Sequence, residues 1–439
     1  MKKTLLTIFL AAAFVLGLSA QETYDLKKVL ETGLEQNYDI RIVRNTQTIS
    51  DNNASIGNAG LLPTLSLSAG YSGTNNQTES SYHNGSSVKT DYLLNQNANI
   101  GLNLNWTVFE GFKMQTEYKR LKEFKAMGEI STRMTIESLV ANLTAEYYNY
   151  IRQNLSYANL KQALELSKER LRIVEARYSI GSMSKLELQQ ARVDFNADSS
   201  SLIKQHEVVR TSAIILNQLM AVDEVSQPIL TRDSLIEVNF FLNKDYLWEQ
   251  TLKANSSLLL AQKEKTLSEL DLKTYQSRNY PYLRLNAGYG YSSNLYENST
   301  YDRQSTLGPN YGVTLGMTLF DGMNRRREQK NARIAIQNRE LETKQLELSL
   351  KADLANMWMA YENNIRLVNL EKENVIVAKE NYEIAMDRYK LGDLSGIDLR
   401  EAQNSLLSAL QRLIQSQYDT KLCEISLLQI SGLAMSFLE

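Results

Sequence analysis

The residue types best suited to catalysis or metal binding are scarce in this chain of 439 residues. Only two histidines are present, His83 and His206, far apart and without carboxylates at supporting spacings, and Cys423 is the single cysteine. One cysteine excludes an intramolecular disulfide and a cysteine metal cluster. Two isolated histidines give poor support for a histidine metal site or for a Ser-His-Asp triad. The sequence therefore indicates a protein that is not an enzyme and that needs no cofactor or metal.

The charge balance argues against nucleic acid as a partner. Lys and Arg together number 48 against 50 for Asp and Glu, and no basic stripe with interleaved aromatic residues is present. Proteins that bind nucleic acid need such a basic surface. With only 4 prolines and no linker rich in both Pro and Gly, one elongated body fits better than several separate domains.

The first twenty residues have the pattern of an export signal. A charged start at Lys2 and Lys3 precedes an apolar core over residues 5–16 and small residues up to Ala20. The apolar run is shorter than the roughly 18 to 20 residues that cross a bilayer. We therefore expect residues 1–20 to be a signal peptide that is removed after export.

Two stretches with a glycine between helical patterns resemble each other. Residues 178–192 read YSIGSMSKLELQQAR, and residues 389–403 read YKLGDLSGIDLREAQ. Their glycines, Gly181 and Gly392, are separated by the same interval as their first tyrosines (392 − 181 = 389 − 178 = 211). A fixed interval of this kind indicates an internal duplication, with each copy organised around one turn.

Four segments alternate apolar with small polar residues, the period of two that places one set on each face of a strand. Two of them follow Pro63 and Pro281, and their partners end in Phe-Glu-Gly at 109–111 and Phe-Asp-Gly at 320–322. Residues 73–99 are dense in Asn, Ser, Thr and Gly, which predicts a loop. The apolar faces would pack on a core in a soluble protein, or face lipid in a membrane barrel.

A helical pattern without proline runs from Phe112 to Tyr178, and a return helix is predicted after the turn. Such a helix would be on the order of 100 Å long and would need partners along its length. The spans 111–181 and 322–392 are both 70 residues (181 − 111 = 392 − 322 = 70). We therefore expect the two long helices to lie side by side in one tube.

The predicted repeats cover residues 21–227 and 228–439. Each has short helices, two strands, a long helix, a turn and a return helix. Four strands cannot close a barrel in a membrane, since the smallest closed membrane barrels have about eight. If the strands lie in a membrane, the chain must oligomerise, and composition leaves two copies and three equally open.

This doubled order, with strands ending in Phe-Asp/Glu-Gly and turns reading Tyr-x-x-Gly, resembles the TolC family of outer-membrane efflux proteins over essentially the whole mature chain. The resemblance implies a mixed α and β membrane protein. In it, a homotrimer contributes four strands per chain to a twelve-stranded outer-membrane β-barrel, continuous with a long periplasmic α-helical barrel.

The function that the resemblance implies is a passive export duct in the outer membrane of a Gram-negative cell. The duct would serve a tripartite efflux or type I secretion system and carry small molecules or proteins. Its expected partners are a periplasmic adaptor, an inner-membrane pump and outer-membrane lipid. The alternative is a soluble periplasmic coiled-coil scaffold or adaptor, in which the strands would form a small domain rather than a barrel.

The resemblance also implies an acidic gate at the periplasmic entrance, formed here by Asp398, Glu401 and Glu187. Threefold repetition would bring like charges together, which favours bound cations or protonated forms and gives cation selectivity. The alternative is that these acids lie on ordinary solvated helix faces. An arginine that helps to close the family's entrance is replaced by Leu394, so a different lock is expected, with candidates Arg388, Lys390 and Arg400.

Two further groups of residues are expected to form surfaces. The exposed turns would dock the adaptor, although plain helix-loop-helix turns fit the sequence as well; their residues are Tyr178, Gly181, Ser182, Tyr389, Gly392 and Asp393. Aromatic residues on the strands would form the belt at the lipid interface, with ordinary core aromatics as the alternative. The belt candidates are Tyr71, Trp106, Tyr289, Tyr291 and Tyr311.

Overall fold

The structure is a computed structural model that describes residues 23–297 and 302–438, and the predicted signal peptide lies outside the described residues. The chain forms two compact units, and each unit contains segments of both predicted repeats. Unit 1 comprises residues 1–45, 130–259 and 344–439. Unit 2 comprises residues 46–129 and 260–343.

The helices agree closely with the helical patterns of the sequence. In chain order they are α1 (Leu26–Gln36), α2 (Tyr38–Asn53), α3 (Lys113–Ser179), α4 (Lys185–Met220), α5 (Lys244–Ala254), α6 (Ser256–Ser277), α7 (Asn324–Leu391) and α8 (Gly396–Ile430), followed by a short 3-10 helix, Ala434–Leu438. No helix in the described part of the chain contains a stretch that is both long and apolar enough for a membrane span. We call α3 and α4 with their turn the first hairpin, and α7 and α8 with theirs the second hairpin.

The strands form one four-stranded antiparallel sheet, in unit 2, and one short parallel pair, in unit 1. The strands are β1 (Thr23–Tyr24), β2 (Thr64–Ser81), β3 (Ser87–Glu110), β4 (Leu230–Thr231), β5 (Tyr282–Tyr296) and β6 (Arg303–Gly316). The larger sheet has the order β2-β3-β5-β6, with Leu104 of β3 opposite Ala287 of β5 at its centre. The edges of this sheet are β2 and β6.

The loop predicted over residues 73–99 is wrong for most of its length. Strand β2 continues to Ser81 and β3 already begins at Ser87, so the two strands pair well beyond Gly73. Asn, Ser and Thr on both faces remove the alternation that marks a strand, yet the ladder still pairs the backbone N–H and C=O groups. Most of residues 73–99 are therefore strand.

Two asparagines terminate the short helices of unit 1 in the same way. The Nδ2 of Asn37 donates to the carbonyl of Leu219 at 2.9 Å, and Nδ2 of Asn255 donates to the carbonyl of Ile430 at 2.9 Å. Their Oδ1 atoms accept from backbone N–H groups of the following helices. Each asparagine thus caps a helix start and holds it against the end of a return helix.

Buried tyrosines hold the segment that crosses from α4 to α5. The hydroxyl of Tyr147 donates to Asp233 at 2.6 Å, and the hydroxyl of Tyr150 donates to the carbonyl of Ile229 at 2.6 Å. Burial, followed by the bond to Asp233, raises the pKa of Tyr147, so this hydroxyl stays protonated and remains a donor. The crossing segment is therefore packed on the core of unit 1.

Candidate functional site at the two helical turns

Both turns are built in the same way around a glycine. Gly181 and Gly392 have φ values of 76° and 84°, a conformation that costs a residue with a β-carbon energy. The Gly181 N–H donates to the carbonyl of Tyr178 at 3.0 Å, and the Gly392 N–H donates to the carbonyl of Tyr389 at 3.1 Å. These bonds satisfy carbonyls that a helix end would otherwise leave unpaired.

Two of the predicted gate acids are helix caps. At the start of α4, the Glu187 carboxylate accepts from the Ser184 N–H at 2.8 Å, while the Glu187 N–H donates to the Ser184 hydroxyl at 3.2 Å. At the start of α8, the Asp398 N–H donates to the Ser395 hydroxyl at 3.2 Å, and that hydroxyl donates to the Asp398 carboxylate at 2.7 Å. Hydrogen bonds from the Ser184 backbone and hydroxyl hold the pKa of Glu187 below its usual value.

A cavity of 320 Å³ lies between the two hairpins next to the turns. Glu187 and Glu401 line it, together with Arg170, Asp194 and Arg400, whereas Asp398 does not. The three predicted gate acids therefore differ in their surroundings. Two of them face a shared cavity that also contains arginines, and the third caps its helix at an exposed position.

Two ion pairs are buried beside this cavity. The guanidinium of Arg400 on α8 donates to both carboxylate oxygens of Asp198 on α4, at 2.6 and 2.7 Å. Arg170 on α3 pairs with Asp194 on α4. The bond to Asp198 raises the pKa of Arg400, so this guanidinium remains charged. A bidentate pair of this type fixes both distance and angle, so it joins the second hairpin firmly to the first.

Neutral groups complete the same network. Gln403, on α8, donates to the carbonyl of Ala163 at 3.1 Å and to the hydroxyl of Ser167 at 3.1 Å. Ser167 in turn donates to Asp198 and accepts from Arg400. The network therefore contacts α3, α4 and α8, and each of its members is largely shielded from solvent.

Leu394 stands where the resemblance implies an arginine, and the three candidates for a different lock make different contacts. Arg400 crosses to the first hairpin, as described above. Arg388 instead pairs with Asp393 in its own turn at 3.0 Å, and Lys390 lies 3.9 Å from Asp387 in its own helix. Arg400 is therefore the candidate whose side chain joins the hairpins.

The two tyrosines of the predicted docking turns have different environments. Tyr389 is 1% exposed, whereas Tyr178 is 41% exposed. Arg177 lies over the Tyr389 ring at 5.5 Å and donates to the carbonyl of Lys390 at 2.8 Å. The Tyr389 ring is therefore covered by the first hairpin. The other predicted docking residues, Gly181, Ser182, Gly392 and Asp393, are exposed.

The apolar face of the large sheet is exposed to its surroundings. Four of the predicted belt aromatics, Tyr71, Trp106, Tyr289 and Tyr311, are exposed there. The indole N–H of Trp106 donates to the carbonyl of Leu61 at 3.1 Å, and the hydroxyl of Tyr291 bonds with Ser305 at 3.2 Å. Exposed aromatics with polar groups that bond locally are suited to an interface between lipid and water.

The opposite face of this sheet is polar and carries no charge over four consecutive rows. The rows are Ser66, Asn103, Gly288, Asn310; Ser68, Gly101, Gly290, Gly308; Gly70, Asn99, Ser292, Thr306; and Ser72, Asn97, Asn294, Gln304. Asparagines lie against glycines of neighbouring strands: a β-carbon at Gly70 would lie 2.8 Å from Oδ1 of Asn99. This face is therefore a flat surface of neutral hydrogen-bonding groups.

The buried members of the turn network include residues that the sequence did not single out, namely Arg170, Asp194, Asp198 and Gln403. Nothing local marks them, because charged and amide residues are ordinary on solvated helix faces. Their partners lie far away in the sequence, with Arg400 and Asp198 separated by 202 residues. Within the described ranges, no group of three or more His, Cys, Asp and Glu side chains could hold a metal ion.

Comparison with known proteins assigns this architecture to a family. The sequence profile of a family described as "Outer membrane efflux protein" matches residues 29–222 and 247–433. These matched segments include both hairpins and the whole large sheet, and they comprise most of the chain.

Three relatives are distant in sequence, and the match covers at least 75% of the length of each. The chain is 21% identical to the outer membrane protein TolC of Vibrio cholerae, over 98% of this chain and 95% of the relative. It is 23% identical to the pyoverdine export outer membrane protein OpmQ of Pseudomonas aeruginosa, over 82% and 75%. Its fold is similar to the crystal structure of the Campylobacter jejuni CmeC outer membrane channel, with a TM-score of 0.77, 17% identity, and coverage of 95% and 91%.

Proposed function

The chain belongs to the outer membrane efflux protein family, and from this premise we propose how its sheet and its turns serve export. The protein is a duct of the outer membrane with a periplasmic extension, and it conducts substrate for a tripartite efflux system. The alternative of a soluble periplasmic scaffold is not favoured, since it leaves the exposed apolar face of the sheet without an occupant.

The two faces of the large sheet carry this proposal. One face exposes aromatic and aliphatic side chains, including Tyr311 at 86% exposure, and suits contact with lipid. Over four consecutive rows the other face has neutral amide, hydroxyl and glycine groups, which suit contact with water and offer no charge to retain a solute. A wall of this kind lets cargo pass without chemistry.

We propose a homotrimer in which three copies close a twelve-stranded barrel, as the family resemblance implies. Two sheet edges, β2 and β6, are available for pairing with neighbouring copies. In unit 1, α7 also exposes a stripe at intervals of seven residues, which is the spacing of a helix-packing seam. The stripe consists of Leu370, Val377, Ile384 and Leu391.

The proposed duplication into repeats 21–227 and 228–439 is supported by matched contacts. Asn37 and Asn255 hold the carbonyls of Leu219 and Ile430, which are separated by the same interval as the two turn glycines (430 − 219 = 211). Equivalent bonds at equivalent positions favour one structural plan used twice.

The proposed partners are an inner-membrane pump and a periplasmic adaptor that docks on the exposed turns. The cargo would be small molecules or, in a type I secretion system, proteins. We retain the acidic gate of Asp398, Glu401 and Glu187 as part of the proposal. Its support is that all three are at the starts of return helices, and that Glu187 and Glu401 share one cavity.

Membrane fractionation followed by electrical recording tests the function. The protein should be recovered in the outer-membrane fraction, and the purified oligomer should form ion-conducting channels in planar bilayers. Recovery in the soluble periplasm, with no conductance after reconstitution, would contradict the duct.

A further inference from the structure

Among the described residues, Arg177 makes a contact between the two hairpins, and the equivalent residue, Arg388, makes no such contact within one chain. Arg177 and Arg388 stand at equivalent positions, each directly before the tyrosine of its turn (388 − 177 = 211). Arg177 donates to the carbonyls of Lys390 at 2.8 Å and Tyr389 at 3.3 Å, the last carbonyls of α7. A cation at a helix C-terminus is stabilised by these carbonyls and by the helix dipole.

The equivalent receiving surface on the first hairpin is open. Tyr178 and Ser179 occupy the places that Tyr389 and Lys390 have in the second hairpin (389 − 178 = 390 − 179 = 211). Tyr389 packs in a hydrophobic cluster with Arg177 over its ring and is 1% exposed, whereas Tyr178 is 41% exposed. One hairpin end is thus covered by an arginine, and its equivalent is uncovered.

The arginine that matches the open end is held only at the surface. Arg388 pairs with Asp393 in its own turn, with side-chain exposures of 53% and 73%. Exposed pairs contribute roughly 0 to 1 kcal/mol because water screens them, so Arg388 can exchange this partner for another. Exchanging Asp393 for the carbonyl groups at a helix end would therefore cost Arg388 little free energy.

The ion pair that joins the hairpins within one chain, Arg400 with Asp198, has no charged equivalent. The positions that match Arg400 and Asp198 at the interval of 211 are Gln189 and Ala409. A contact between the second hairpin of one copy and the first hairpin of the next would therefore lack that pair. Arg388 is a charged group placed to make that contact.

We propose that Arg388 joins neighbouring copies by donating to the carbonyl end of α3, at Tyr178 and Ser179, of a second copy of this chain. The inference rests on the proposed oligomeric duct, in which the free sides of the hairpins meet. The Tyr178 surface is complete only when the neighbour supplies Arg388. This contact repeats between copies the arrangement that Arg177 makes within one copy.

Crosslinking tests the position of Arg388. In a Cys423→Ser background, Arg388→Cys with Ser179→Cys is treated with a short bismaleimide, because the reach of an arginine exceeds the Cα separation of about 7 Å that a disulfide allows. We expect covalent dimers and trimers on denaturing gels. The matched pair, Arg177→Cys with Lys390→Cys, should link within one chain and give no covalent multimers.

The outcomes separate this inference from the proposed duct. An oligomer of the expected size in light scattering, without covalent multimers from the Arg388→Cys and Ser179→Cys pair, would overturn the role of Arg388 and leave the duct intact. Failure of the unmodified chain to form any oligomer in detergent would overturn both.

Single-channel recording tests whether the contact keeps the channel closed. Arg388→Gln should raise the open fraction of single channels in planar bilayers about tenfold, the change that corresponds to about 1.4 kcal/mol. Asp387→Asn removes the neighbouring exposed pair with Lys390 and leaves Arg388 intact, so it should leave the open fraction unchanged. Equal effects of the two substitutions would show that the loss of any exposed charge near the turn opens the channel, and would overturn the role of Arg388.

Discussion

The polar face of the large sheet and the network beside the turns use polar residues in opposite ways. The sheet presents four rows of neutral Asn, Ser, Thr, Gln and Gly groups to its surroundings. The turns bury Arg170, Asp194, Asp198 and Arg400 as two ion pairs between helices. Neutral groups hydrogen-bond with water and hold no solute by charge, whereas buried pairs hold helices in one arrangement.

Neutral polar groups and buried ion pairs therefore suit different tasks. A wall that cargo passes gains from groups that neither attract nor repel ions. Helices that close an entrance are better held by buried ion pairs, because leaving one charge without its partner is costly. Such pairs therefore favour two distinct arrangements of the helices rather than a continuous range.

Removing one partner of a buried pair should have the largest effect. Arg400→Gln leaves Asp198 without its bidentate partner, and we expect a loss of about 2 to 3 kcal/mol, reduced because both side chains are partly exposed. Hydrogen exchange should increase near the start of α8, and channel conductance should rise. The control, Arg400→Met with Asp198→Leu, removes both charges and should be closer to the wild type. Equal losses in both variants would contradict the role of the pair.

Filling a glycine position on the wall should have the next largest effect. In Gly288→Ala the added β-carbon would lie 2.8 Å from the carbonyl oxygen of Leu102 and would also clash with the Asn310 side chain. Overpacking of this kind costs about 1 to 3 kcal/mol and should lower the thermal unfolding midpoint. The matched control is Gly308→Ala on the same face, where nothing lies within 4 Å. A loss of stability in the control as well would show that chain flexibility, not space, decides the effect.

Removing the caps of the return helices should have a smaller and local effect. Ser184→Ala should cost about 1 kcal/mol and increase hydrogen exchange in the first turn of α4. Ser395→Ala should cost somewhat more, because the bond from the Ser184 backbone N–H to the Glu187 carboxylate survives in Ser184→Ala, whereas both bonds at Ser395 use the hydroxyl that is removed. A greater effect at Ser184 would contradict this order.

The Glu187 cap should also respond to pH. The pKa of Glu187 is lowered in the folded chain, so its contribution is present above the ordinary pKa of 4.5 and is lost as the pH falls through the lowered value. Hydrogen exchange in the first turn of α4 should therefore increase relative to the rest of α4 below about pH 4. Glu187→Gln should remove this pH dependence.

Removing acids of the proposed gate should give the smallest change in stability but a change in selectivity. Asp398→Ala with Glu401→Ala should lower the cation preference of single channels, or raise their conductance, because the proposed gate then loses two acids per copy. Reversal potentials in a salt gradient measure the preference. Unchanged selectivity and conductance would contradict the gate role and leave Asp398 only its bonds with Ser395 at the start of α8.

The sequence predicts most of the fold because the relevant signals are local. The glycines at 181 and 392 mark the turns, and the return helix predicted after the first turn begins at Lys185. Alternation after Pro63 and Pro281 locates the strands. The error over residues 73–99 has a local cause as well, since polar residues on both faces hide a strand whose stability comes from its partner.

The candidate site is less predictable because its bonds join distant residues. Ser184 and Glu187 form a capping box that could be recognised from spacing alone, yet the family resemblance directs attention to a gate role for the same acid. Arg400 could be suggested only because Leu394 departs from the family, and Asp198 could not be identified as its partner. Pairing across 202 residues depends on which helix faces meet, and composition does not specify that.

The central pairing of the large sheet also determines the order in which the chain can fold. Strands β2 and β3 are joined by a short turn, but Leu104 of β3 must find Ala287 of β5 across an interval that contains the whole first hairpin. Closing so long a loop costs more entropy than forming either β-hairpin, so the β2–β3 and β5–β6 pairs can form first. Until β3 and β5 pair, each is an unprotected strand edge, and such an edge can pair with another chain and aggregate.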